Sequence, residues 1–83
     1  MKITVRYFAS IREAIGQGSE AVETAATTLG ALRDELIARG GAHASSLARG
    51  RAVRMALNQT LSDESATLAD GAEVASFPPV TGG

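Results

Sequence analysis

Eighty-three residues make one small domain, and the absence of cysteine rules out disulfides, thiolate metal sites, iron–sulfur clusters and cysteine nucleophiles. Eight basic against nine acidic side chains leave a formal charge of −1, which supplies no field for gathering nucleic acid or an anionic membrane surface. Lys2 and Arg6 interrupt the N-terminal apolar residues and no uncharged stretch reaches the length of a membrane span or a signal segment, so a soluble, cytoplasmic protein is expected.

Residues 2–8 alternate, with Ile3, Val5 and Tyr7 on one face and Lys2, Thr4, Arg6 and Phe8 on the other, the period-2 signature of a half-buried strand. Phe8 is out of place on the charged face: either the strand bends there or an aromatic ring is exposed for a partner. Ser10 to Ile15 can form a short helical turn, with Ser10 as N-cap and Glu13 completing a capping box, closed by Gly16 and Gly18. Gly16-Gln17-Gly18 follows a helical turn and has no third glycine, so it reads as a turn and not as a phosphate loop. Ser19 to Thr24 alternates weakly, with Ala21 and Val22 as its apolar candidates, and is expected to form a hairpin with the first strand.

Leu29 to Arg39 is the clearest helix, because Leu29, Leu32, Leu36 and Ile37 share one face while Arg33, Asp34 and Glu35 mostly take the water side. Thr27 or Thr28 can cap its start and Gly40-Gly41 stops it. His43, the single histidine, has no acid within several residues and is expected in a solvated connection with no catalytic or metal role. Arg49, Arg51 and Arg54 fall within six positions; such a cluster reads as a solvated face, with docking against an acidic partner as the alternative. Val53, Met55 and Leu57 alternate with Arg54, Ala56 and Asn58 as another half-buried strand, and Asn58-Gln59 is a turn. Thr60 and Leu61 can start a short returning strand, Ser62 to Thr67 is a polar loop anchored by Leu68, and Asp70-Gly71 is a tight turn. Glu73 to Phe77 is the last strand.

The two consecutive prolines Pro78 and Pro79 remove two amide donors and hold the chain extended, so the fold is expected to occupy residues 1–77 and an extended tail residues 78–83. After Val80 and Thr81 come Gly82 and Gly83, which have no side chains. Such a tail can thread a narrow channel and deliver one group, the Gly83 carboxylate, with no Cβ to obstruct attack at the carbonyl; the bland reading is a frayed terminus. The order of hairpin, long helix and further strands implies an α+β domain of β-grasp type, a mixed sheet with one main helix on one face. The other face, where Phe8 falls, is left partly open.

Val5-Arg6-Tyr7-Phe8-Ala9, Ile11-Arg12-Glu13-Ala14, Leu32-Arg33, Leu57-Asn58-Gln59-Thr60-Leu61, Asp70-Gly71 and above all the ending Phe77-Pro78-Pro79-Val80-Thr81-Gly82-Gly83 resemble the small subunits of molybdopterin synthase, a family of ubiquitin-like sulfur carriers. The resemblance implies that the terminal Gly83 is adenylated with ATP by a ubiquitin-activating-like adenylyltransferase and converted by a sulfur donor to a thiocarboxylate. It implies that the tail then enters the large subunit and donates sulfur to cyclic pyranopterin monophosphate in molybdenum cofactor biosynthesis. The chain is then not catalytic alone, binds no cofactor or metal of its own, and joins a heterotetramer. Position by position, Phe8, Leu61 and Phe77 match the family's apolar docking surface, Arg12 a basic contact beside it, and residues 78–83 the inserted arm. Ser76 departs from the pattern, which usually carries a large apolar residue there. A carrier for thiamine, cysteine or tRNA thiolation, or a ubiquitin-like protein modifier, is the alternative.

Overall fold

The structure, a computed structural model, describes residues 1–79. Its elements in chain order are β1 (Lys2–Tyr7), α1 (Ala9–Ile15), β2 (Ser19–Glu23), α2 (Leu29–Ala38), α3 (Gly41–Leu47), β3 (Arg54–Leu57), β4 (Thr60–Ser62) and β5 (Glu73–Phe77). The strands form one mixed sheet in the order β2-β1-β5-β3-β4. β1 and β5 are parallel neighbours at its centre, and an antiparallel hairpin opens outward on each side. This is the expected β-grasp roll.

The alternation of β1 holds throughout, with Ile3, Val5 and Tyr7 buried and Lys2, Thr4 and Arg6 exposed. The inner row meets Val74 of β5, Met55 of β3, Ile11 of α1 and Leu47 of α3 in one core. Leu29, Leu32 and Leu36 of α2 are fully buried in that core, so the apolar stripe of the main helix covers the inner sheet face. Thr28 starts α2 by accepting the Ala31 amide at 3.2 Å. The β3–β4 hairpin turns on Asn58 (φ 49) and Gln59 (φ 70), consecutive left-handed residues whose twist matches that of the strands. At Asp70-Gly71 the glycine takes φ 83, its amide reaches the Lys2 carbonyl, and the Asp70 carboxylate accepts the Lys2 amide at 2.7 Å. That turn fastens the entry of β5 to the start of β1.

Four local expectations are corrected. Ser10 does not cap α1: Ala9, at φ 52, turns the chain directly out of β1, Phe8 takes the cap position with no side-chain bond, and Ser10 lies inside the helix. In β2 the inward residues are Glu20 and Val22, and Ala21 is exposed, because pairing of Ile3 with Val22 and Val5 with Glu20 sets the phase. Residues 41–47 are a helix, with Ser46 and Leu47 buried, where a solvated connection was expected. Arg33, assigned to the water side of α2, is 5% exposed. Its Nε and Nη2 donate to the Leu47, Ala48 and Arg51 carbonyls and its Nη1 to Glu64 at 2.9 Å, so it closes the C-terminal end of α3.

Candidate functional site

Because β1 and β5 run parallel with Tyr7 opposite Ser76, their C-terminal ends lie side by side, and the Phe8 amide donates to the Ser76 carbonyl at 3.1 Å. Phe8 and Phe77 therefore continue the outer face of the sheet where the chain enters Pro78. One outer row runs Arg6, Ala75, Ala56, Leu61 across four strands; the next pairs Phe77 with Arg54. Among the described residues no helix covers this face. Phe8 is 37% and Leu61 62% exposed, while Phe77, Pro78 and Pro79 are half-buried. Val80, Thr81, Gly82 and Gly83, the residues expected to form the tail and carry the reacting carboxylate, lie outside the described residues.

The structure thus brings Phe8 and Phe77 together at the base of the tail and puts Leu61 on the same face, two strands from β1's neighbour β5. Arg12 stands on α1 at the rim of this face and lies across Gly18: a Cβ there would sit 3.2 Å from the guanidinium Nε. Gly18 has no left-handed φ to explain it, so its use is space for that side chain. Arg6, Phe8, Arg12 and Ser19 line one open hollow of about 320 Å³, in which the Arg6 guanidinium carbon stands 5.2 Å from the centre of the Phe8 ring. A second groove, of about 390 Å³, runs between Arg54, Leu61 and Glu64. Arg6 and Arg54 join this surface, Arg54 as the one member of the 49–54 arginine cluster that lies on it; the signal for both is their alternation phase, opposite to Tyr7 and Met55.

Beneath the surface, a polar cluster holds the end of β1. The Tyr7 hydroxyl donates to Glu20 Oε2 at 2.6 Å, His43 Nε2 lies 2.9 Å from the same oxygen, and Arg39 donates to Oε1 at 2.8 Å. The His43 ring also meets Tyr7 edge-on, 5.8 Å between centres. Burial, and then the bond and charge of Glu20, push the Tyr7 phenol well above its ordinary range. For Glu20, burial works to raise the pKa, but the bonds from Tyr7, His43 and Arg39 outweigh it and hold the carboxyl at about 2. His43 is thus a tether between α3 and β2, supplied with an acid by the fold. The residue beside Tyr7 in β5, Ser76, is 0% exposed and its hydroxyl has no partner. Among the described residues no group of histidine, aspartate and glutamate could hold a metal ion.

The model of the ThiS family matches residues 5–83. The molybdopterin synthase sulfur carrier subunit of Escherichia coli (strain K12) is 42% identical over 81 residues, 98% of this chain and 99% of that protein. The protein of the same name from Haemophilus influenzae is 38% identical over 81 residues, with 98% and 99% covered. Among solved structures, a putative molybdopterin converting factor subunit 1 from Pyrococcus furiosus superposes with a TM-score of 0.79 at 27% identity, over 96% of this chain and 99% of that one. A chain from the complex of subunits 1 and 2 of the molybdopterin-converting factor of Helicobacter pylori 26695 gives 0.70 at 28%, and SAMP1 from Haloferax volcanii 0.77 at 25%, each over 100% of both chains. On a match that runs from the middle of β1 through every later element and on to the Gly-Gly ending, and on relatives 42% and 38% identical over 98% of its length, the chain belongs to the ThiS family, among the molybdopterin synthase sulfur carrier subunits.

Proposed function

We propose that this chain is the sulfur-carrying subunit of molybdopterin synthase, with the Gly83 carboxylate as its one reacting group. The observation that carries the reading is the pairing of an exposed aromatic surface with the base of the tail: Phe8 and Phe77 are neighbours across the parallel β1–β5 pair, directly before Pro78. A body that docks on this surface fixes where the terminal residues go, and six residues of extended chain reach about 20 Å. The fold then acts as a handle and the tail as the reagent.

A carboxylate is a poor electrophile. Attack of a Gly83 carboxylate oxygen on the α-phosphate of ATP, on an adenylating enzyme, expels pyrophosphate and leaves a mixed anhydride with AMP as a good leaving group. A sulfur donor displaces AMP and leaves a thiocarboxylate, a nucleophile that a chain without cysteine can carry. The large subunit supplies the catalytic groups, and sulfur passes to cyclic pyranopterin monophosphate as its dithiolene is built. The Helicobacter pylori complex of subunits 1 and 2 supports a partner of this kind; two copies of each subunit are proposed. The proposed compartment is the cytoplasm, and no described helix is long and apolar enough to cross a membrane.

The likeness to SAMP1, a small archaeal modifier protein, favours a second reading in which activated Gly83 is joined to amines of other proteins. Deletion of Gly82-Gly83 tests the first reading. The truncated protein is expected to keep its fold and bind the large subunit while losing all sulfur transfer. Cofactor synthesis supported by the truncated chain would overturn the assignment, and covalent conjugates to other proteins in a cell lysate would favour the modifier.

A further inference from the structure

The chain has seven arginines, and the fold divides them sharply. On the helical side, Arg33 and Arg49 share Glu64, with Arg49 also on Asp34 and the Gly30 carbonyl; Arg39 holds Glu20, and Arg51 donates to the Ser45 carbonyl. The cluster of Arg49, Arg51 and Arg54 is therefore not one feature, because its first two members bind the protein's own acceptors and the third faces the other way. Arg6, Arg12 and Arg54 are all exposed and surround the open face at the tail end. Arg12 and Arg54 make no ion pair among the described residues, and Arg6 has only Glu73 at 3.9 Å. The acids near Arg54 are already engaged: Glu64 by Arg33 and Arg49, and Asp63 by the Ser65 hydroxyl and amide. Among the described residues, a chain of net charge −1 thus carries two arginines without an ion pair, and a third with one long pair, around the exposed Phe8 and Leu61.

We propose that Arg6 and Arg54, on either side of Phe8 and Phe77, select a partner whose docking surface presents carboxylates opposite them, namely the large subunit. The inference rests on the functional reading above and adds to it two residues that the family resemblance did not supply. Rim charges of this kind act mainly on the encounter rate and on the rejection of wrong partners, while the aromatic centre sets the lifetime of the complex. Arginine suits the role, since its weakly hydrated, always-charged fork can stack on a ring, as Arg6 does on Phe8, and still present donors to a carboxylate.

The test is the association rate of the full chain with its host's large subunit, at low and high salt, for the unaltered protein, R6E/R54E, R6Q/R54Q and K2E. Lys2 is an exposed cation at the far end of β1 and controls for net charge. The double reversal is expected to slow association about tenfold at low salt, the glutamine pair less, and K2E not at all. The differences should shrink at about 0.5 M salt, where the Debye length falls to a few ångström. R6E/R54E associating at the unaltered rate in low salt would overturn the inference and leave the arginines as solubilising charges. Failure of the unaltered protein to bind the large subunit at all would instead overturn the functional reading, and this inference with it.

Discussion

On the helical side of the sheet Arg33 is 5% exposed and donates to three carbonyls and Glu64, whereas on the open side Arg54 is exposed beside Phe77 and pairs with no carboxylate among the described residues. The same contrast holds for the aromatics: Tyr7 is buried with its hydroxyl on Glu20, while Phe8, the next residue, is exposed. Tyr7, the last residue of β1, and Phe8, the extended residue that follows it, go to opposite faces because the pleat continues through both. The inner face is closed by an apolar core and, Ser76 apart, by paired polar groups, while the outer face leaves apolar area and charge exposed. Mutations should therefore sort cleanly, those on one side altering stability and those on the other altering association.

The largest effect is expected at Arg33. Arg33→Ala leaves three carbonyls without their donor and Glu64 with Arg49 alone, and should cost about 3 kcal/mol or more in urea unfolding while the folded fraction binds partners normally. Glu20 comes next. Its folded pKa is lowered from 4.5 to about 2, so the unfolded chain binds more protons in between, and stability rises with pH across that window. The contribution is fully present above about 4.5 and disappears as pH falls through about 2. Glu20→Gln should remove on the order of 2–3 kcal/mol at neutral pH and flatten the acid limb of the stability curve; an unchanged limb would disprove the role given to the cluster.

Crossing to the outer face reverses the readout. Phe8→Ala should weaken binding to the large subunit by about 2 kcal/mol or more, and Phe77→Ala similarly, since aromatic anchors at interface centres dominate affinity. Thermal unfolding of Phe8→Ala should change little. Equal affinity for both variants would remove these residues from the docking surface. The smallest effect is at Ser76, where a fully buried hydroxyl has no partner; Ser76→Ala is expected to be neutral or stabilising, by up to about 1 kcal/mol. A clear loss of stability would mean that the hydroxyl is satisfied in a way the contacts above do not include.

How far each side could be read in the sequence follows from the range of the forces involved. The strands β1 and β5, the leucine stripe of α2, its Thr28 cap and the turns at Asn58-Gln59 and Asp70-Gly71 depend on spacing and local chemistry, and all are legible. So is the outward phase of Phe8. The burial of Arg33 is not legible, because helical phase alone gives no warning that α3 will fold back and offer the Leu47 and Ala48 carbonyls. His43 looked isolated because its acid, Glu20, lies 23 residues away in sequence. The exposure of Leu61 and the place of Arg54 beside Phe77 likewise needed the pairing of β3 with β4 and β5. Long-range pairing decides polar partners, and periodicity does not contain it.

The central claim is that this fold is a handle for a single reacting carboxylate, and its most direct test is the intact mass of the protein after incubation with its host's adenylating enzyme, ATP and a sulfur donor. The expected result is a gain equal to the replacement of one oxygen by sulfur, absent from a chain lacking Gly83. No gain, under conditions in which a known sulfur carrier reacts, would contradict it.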